Sequence, residues 1–185
     1  MNDRPVTIQS FIDARLFSDF AWFDLLCVQR RWRRPAIFAV FFAAVSLVAF
    51  SRADRVEHAA LLGGVLLAVG LGLPLAYFGG FYLSVRRQSA AFTGKDAAYV
   101  ITLDARGMSV SKGKQSAAFL WKQLDSVHRL ARCVCVYTDP RHAFLLPSAD
   151  NSRAVPAAWE LITANLDSAR VCDHRGRALR QNAPN

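Results

Sequence analysis

Two apolar runs, Ala36–Ser51 and Ala59–Val85, constrain this 185-residue chain more than anything else in it. Seven residues, 52–58, separate them. The second run has 27 residues and no charge, more than the roughly 20 apolar residues a membrane-spanning helix needs. Hydrocarbon offers no partner to backbone amides, so a spanning run must satisfy them internally as a helix. The first run has 16 residues and is short for a span. Beside the second it becomes the other arm of a hairpin. Pro35 suits a first helical turn, where its missing N–H would be unpaired anyway.

Basic residues mark the cytoplasmic ends of spans. Arg30, Arg31, Trp32, Arg33 and Arg34 precede the first run, and Arg86 and Arg87 follow the second. The loop holds Arg52 and Arg55, offset by Asp54 and Glu57. The pattern predicts a multi-pass protein of the plasma (inner) membrane with both termini cytoplasmic. Arg30, Arg31, Trp32, Arg33, Arg34, Arg86 and Arg87 are its anchoring residues, with Tyr77 and Tyr82 as further interfacial candidates. Neither run holds an ionisable residue, which argues against an ion or proton path. Pro74 frees a carbonyl partner and predicts a kink.

Small residues recur at every fourth position of the second run: Ala60, Gly64, Ala68, Gly72, Ala76 and Gly80. Such a row lets another backbone approach closely. It either packs the hairpin against itself or forms a homo-oligomer contact. The net charge is +9. Next to a membrane this favours anionic lipid as a partner, at about 1 kcal/mol per nearby Lys or Arg. Nucleic acid is not expected, because no recognition motif or interleaved aromatics accompany the charge.

The flanks read as a cytoplasmic N-terminal segment (1–34), the hairpin (35–87), one small domain (95–168) and a basic disordered tail (169–185). Arg4–Gln9 alternates Val6 and Ile8 as a short strand would. Ser10 followed by Asp13 reads as a helix start. Phe11, Ile12, Leu16, Phe17, Phe20 and Phe23 then recur at helical spacing. This amphipathic helix is expected to lie on the inner leaflet or, as the alternative, to pack on the cytoplasmic domain. Gln88–Ala97 reads as a linker.

Beyond it the period changes to two. Tyr99, Ile101 and Leu103 form one strand face, Met108 and Val110 a second, and Ala117, Phe119 and Trp121 a third. Trp121, Leu124 and Val127 suggest a helical turn. Leu130–Thr138 and Ala143–Leu146 complete five antiparallel strands, a meander closing into a barrel or sandwich. A helix from Pro156 to Asp167 follows, with Ala158, Trp159, Leu161, Ile162 and Leu166 inward and Trp159 as the plug.

Chemistry is sparse. Catalytic candidates are Cys133, Cys135, His128, His142, Asp125 and Asp139, but no local motif joins them into nucleophile and base. No enzyme activity is expected. Cys133 and Cys135 point to one strand face and read as buried apolar residues. Zinc there would need His128 and His142 as further ligands, and no cofactor is expected. His128 and His142 both read as surface residues. Arg106, Lys112 and Lys114 stand at hairpin tips and are the candidate contacts for an anion.

The strand pattern Tyr99-x-Ile101-x-Leu103, Gly107-Met108-x-Val110, Phe119-x-Trp121-x-x-Leu124-x-x-Val127, the strand to Tyr137, Phe144-Leu145-Leu146-Pro147 and the Trp159 helix resemble the YcxB-like bacterial membrane proteins. The resemblance covers about residues 5–167. It implies two spans and a C-terminal pleckstrin-homology-like (PH-like) β-barrel capped by a helix, in an α+β membrane protein. It brings no activity with it. It also implies that 4–9 adds a strand to the cytoplasmic sheet. The basic residue the family pattern has soon after the Pro is replaced here by Ser148-Ala149. The function expected is a membrane-held binding or regulatory domain for an unknown protein partner or anionic lipid headgroups. The alternative is a structural protein that oligomerises through the second span.

Overall fold

The structure, a computed structural model, describes residues 5–52, 58–90, 92–149 and 151–175. It is a mixed α and β chain in two compact units, one of Met1–Phe20 with Ala90–Asn185 and one of Ala21–Ser89.

The helical unit holds the two apolar helices, α2 (Arg33–Ser51) and α3 (Ala59–Ser89), both long and apolar enough to cross a membrane. Helix α3 runs through Pro74 as one element. Among the less exposed residues of α2 are Pro35, Ala39, Phe42, Ser46 and Ala49, and among those of α3 are Ala59, Gly63, Leu66, Gly70, Pro74, Phe78, Phe81 and Val85. Spacings of three and four put each set on one helix face. The faces meet closely at two glycines. A Cβ at Gly70 would stand 2.5 Å from Cβ of Phe42, and one at Gly63 would lie 3.2 Å from the Phe50 ring.

Among the described residues of the other unit, eight strands form two sheets, ordered β1-β2-β3-β4 and β7-β6-β5-β8. The first contains β1 (Val6–Asp13), β2 (Thr93–Leu103), β3 (Gly107–Lys112) and β4 (Gln115–Leu120). The second contains β5 (Ser126–Arg129), β6 (Cys133–Asp139), β7 (His142–Pro147) and β8 (Val171–Asp173). The expected barrel does not close. A 3-10 turn at Trp121–Gln123 carries the chain from one sheet to the other, and the free edge of β5 is taken by β8, so β4 and β5 do not pair.

Helix α4 (Ala154–Asn165) completes the core. Val155, Ala158, Ile162 and Leu166 are buried against Ile8, Ile101, Leu103, Val110, Val134, Val136 and Leu146. Trp159 is only half-buried at the margin, with the Arg129 guanidinium 4.9 Å from its ring centre. The plug is therefore Ala158 and Ile162 rather than Trp159. Trp121 is the deeper tryptophan, and its Nε1 has no hydrogen-bond partner among the described residues.

Several local expectations change. Ser10 is not a helix cap: β1 continues through it to Asp13, and its buried hydroxyl donates to the Leu145 carbonyl at 2.7 Å. Asp13 Oδ1 instead accepts from the Leu16 amide at 2.6 Å, at the start of α1 (Ala14–Phe23). The helical turn expected between strands at Trp121, Leu124 and Val127 is present as the 3-10 turn at Trp121–Gln123, but it is shorter than expected, because Val127 already pairs with Val136 across β5 and β6. The proposed linker is absent as such, since α3 reaches Ser89 and β2 begins at Thr93. The tail forms a 3-10 turn at Ser168–Arg170 and then β8, which runs parallel to β5. Residues 176–185 of that tail lie outside the described residues. The implied N-terminal strand is present, with Ile8 opposite Ile101 in an antiparallel ladder.

The first half of α1 packs on the sheet unit. Leu16 is buried, Phe17 meets Phe92 in a tilted pair at 4.9 Å, and Phe20 meets Tyr137 at 6.4 Å. For residues 14–20 this replaces the leaflet-bound pose with the alternative.

Candidate functional site

The arginine clusters flank the apolar helices as the sequence requires. Arg30, Arg31, Arg33 and Arg34 are exposed at the start of α2, and Arg86 and Arg87 are exposed near the end of α3. Trp32 Nε1 donates to the Leu26 carbonyl at 3.0 Å.

The row Ala60, Gly64, Ala68, Gly72, Ala76 and Gly80 is exposed throughout. Nothing lies within 4 Å of a Cβ built at Gly64, Gly72 or Gly80. The hairpin packs through Gly63 and Gly70 instead. The cause is the antiparallel neighbour: its bulky Phe42 and Phe50 need glycine directly opposite, and only one helix face can meet them.

The three hairpin-tip bases do not converge. Arg106 lies in the turn between β2 and β3, whereas Lys112 and Lys114 lie at the turn between β3 and β4. These are opposite ends of six-residue β3. At about 3.3 Å per residue the two ends stand roughly 20 Å apart. Asp104 Oδ1 accepts from the amides of Arg106 and Gly107 at 2.7 and 2.9 Å, which fixes the first turn. Gly113, at φ +59°, allows the second. Lys112 Nζ lies 5.7 Å from the Tyr99 ring centre.

A cavity of about 300 Å³ opens between the β1–α1 junction and sheet two. It is lined by Asp13, Leu16, Ala131, Arg132, Pro147 and Ser148. Arg132 Nη1 reaches Asp19 at 3.4 Å, with both side chains more than half exposed. At such exposure an ion pair orients more than it stabilises.

Burial and register bring another group together. Cross-strand partners point to one sheet face. His128 is paired with Cys135 of β6 on one side and with Cys172 of β8 on the other. His174, two residues after Cys172, shares that face. His128 Nδ1 and His174 Nε2 are 3.2 Å apart, and their rings stack at 5.4 Å. Tyr137 lies edge-on to His128 at 5.5 Å. One ligand atom each from His128, Cys172 and His174 falls within 4.8 Å of the others. Burial pushes His128 below its ordinary pKa; the neighbouring His174 pushes the same way, and Asp125 pulls back weakly. His128 is thus half-buried in a cluster, not the surface residue expected. The sequence signal was Cys172-x-His174, a period-two pair next to Val171 inside a stretch that otherwise reads as polar.

Cys133 and Cys135 are buried, with Sγ atoms 3.7 Å apart. His142 is elsewhere, at the β6–β7 tip, where its Nδ1 meets Asp139 Oδ2 at 2.7 Å in solvent. The supposed zinc set of Cys133, Cys135, His128 and His142 is therefore not assembled. No protein-family model, curated protein or solved structure matches this chain.

Proposed function

We propose that this chain is a two-span protein of the bacterial inner membrane, both termini cytoplasmic, displaying a PH-like domain of the YcxB-like kind. The domain serves as a binding or regulatory module for a protein partner or for anionic lipid headgroups. The observation that carries the reading is the ladder between β1 and β2. A sheet built from a segment before α2 and one after α3 requires both on the same side of any membrane the helices cross. Two crossings satisfy that requirement and one does not. The arginines beside α2 and α3 support the cytoplasmic side by the positive-inside bias. Headgroup contact is assigned to the exposed tip of Lys112 and Lys114, with Arg106 too distant to share it.

The test is impermeant thiol labelling of intact cells in a background without Cys27. A His58→Cys variant should label from outside. A Ser152→Cys variant should label only after the cells are opened. Labelling of both from outside would refute the topology. Crosslinking in membranes, compared with a Lys112→Glu/Lys114→Glu variant, then tests the binding tip.

A second reading is favoured by one observation, the open face of Ala60, Gly64, Ala68, Gly72, Ala76 and Gly80 on α3. In it the protein is a structural component assembled as a homo-oligomer through that row. Gly64→Leu with Gly72→Leu should abolish crosslinked oligomers, and unchanged oligomers would sink it.

A further inference from the structure

We propose that His128, Cys172 and His174 form a zinc site that clasps the C-terminal strand β8 onto β5. Three observations on one sheet face carry this. First, register: His128 stands directly opposite Cys172, and His174, just past the end of β8, brings its ring back against His128. Second, distance: the donor atoms lie within 4.8 Å of one another, with the two imidazole nitrogens at 3.2 Å. Zinc bonds of about 2.0–2.1 Å to nitrogen and 2.3 Å to sulfur set tetrahedral N···N and N···S separations of about 3.3 and 3.6 Å. The imidazole pair already meets the first, and the Cys172 thiol, within 4.8 Å of both, would have to close the remaining gap on metal binding. Third, donor type: two imidazoles and one thiol suit a borderline-soft ion such as zinc rather than calcium or magnesium, which take oxygen.

The clasp also answers a structural need. Strand β8 has three residues and, among the described residues, pairs with β5 alone. Around it the protein supplies the His174 amide to the Arg129 carbonyl at 2.8 Å and Arg170 Nη1 to the Leu124 carbonyl at 3.1 Å. A strand this short is weak by itself. A metal bridging β5 and β8 adds a link that the unfolded tail cannot form. Three protein ligands leave one coordination position for water or an exogenous group. Asp173 does not take it in this arrangement, because its carboxylate is held by Arg175 at 2.8 Å.

The test uses full-length protein in detergent, stripped by chelator and carrying Cys27→Ser so that the exposed thiol cannot contribute. Cobalt serves as a spectroscopic stand-in for zinc. The expected result is one metal per chain and a thiolate-to-cobalt charge-transfer band, which zinc then displaces. Cys172→Ala should remove the band. His174→Ala should weaken zinc binding by more than the roughly 10–100-fold typical of losing a ligand's outer-shell partner. Cys135→Ala, which removes the thiol on the other side of His128, should leave the band in place. Zinc should also slow tryptic cleavage after Arg170 and Arg175, and chelator should restore it. The proposal is overturned if no stoichiometric metal binds. It is equally overturned if Cys135→Ala rather than Cys172→Ala removes the band, or if zinc binds without changing the cleavage. Circular dichroism of each variant separates lost binding from lost folding.

Discussion

Ser46 Oγ donates to the carbonyl oxygen of Gly63 across the helical hairpin at 2.5 Å, with Ser46 only 1% exposed. It is the buried polar residue of α2, and its bond lies where Gly63 lets the two backbones come close. A hydroxyl in apolar surroundings must find an acceptor, so this bond also fixes the rotation of α2 against α3. Ser46→Ala is expected to weaken the hairpin by roughly 0.5–1.5 kcal/mol. Unfolding in a detergent series, followed by tryptophan fluorescence, would measure it.

Gly70→Leu and Gly64→Leu should behave oppositely within a single chain. The side chain at 70 meets Phe42, whereas the one at 64 meets nothing. The first should shift that same unfolding curve to lower denaturant by an overpacking cost of about 1–3 kcal/mol or more. The second should leave it where it is.

Ile162 is fully buried at the centre of the sheet unit. Ile162→Ala is expected to cost about 2–5 kcal/mol, read from urea unfolding by circular dichroism. Trp121 offers a contrast. Replacing it with Phe removes the indole N–H that has no partner among the described residues, along with some volume, and these effects oppose each other. Trp121→Phe should cost less than about 1 kcal/mol, whereas Trp121→Ala should cost about 3–5 kcal/mol.

Asp139 is held below the usual carboxylate range, first by the Arg141 amide and then by the His142 ring. A depressed folded value means the contribution is present above the ordinary aspartate pKa. It is lost as pH falls through the folded value. The β6–β7 tip should therefore stay formed at mildly acidic pH and loosen only below the ordinary value. An NMR titration of the Asp139 carboxyl carbon would show a midpoint shifted to the acid side; a midpoint at the unfolded value would contradict it.

The thiols should divide sharply. Cys27 is exposed, and Cys133 and Cys135 are buried. A maleimide should modify Cys27 at once in the native protein, and Cys133 and Cys135 only after denaturation. Mass spectrometry of the digested protein would show which had reacted.

The parts legible from sequence were those with a long or clean period. The charge-free run gave α3, and Tyr99, Ile101 and Leu103 gave β2. The apolar stretch before Thr138 gave β6. That strand is buried on both faces, since Val134 and Val136 enter the core while Cys133, Cys135 and Tyr137 are covered on the other side. The register shift between Ser10 and Phe11 hid the second half of β1, beyond Gln9. It breaks the alternation and lets a buried serine pass for a helix cap. Strand β8 was hidden by its length, because three residues among charged neighbours carry no period. Cys172-x-His174 hinted at the His128 cluster, but nothing local pointed to its partner, since it depends on β8 lying parallel to a strand more than 40 residues earlier. The small-residue row misled about packing because spacing alone cannot tell which of two glycine faces, 63 and 70 or 64 and 72, meets the neighbour.

The ladder from Val6↔Leu103 to Asp13↔Thr93 makes the apolar hairpin an insertion inside a domain rather than a stalk beneath one. During synthesis Ile8 must wait, unpaired, until both helices have been made before Ile101 emerges. Once formed, the sheet closes the intervening chain into a loop, so the two helices cannot drift apart while the domain is folded. The covalent link at 52–58 then becomes dispensable for association. Two separately made pieces, divided within that loop, would still find each other through β1 and β2, whereas a fragment beginning at residue 90 would leave the edge of β2 bare and the Leu145 carbonyl without its serine.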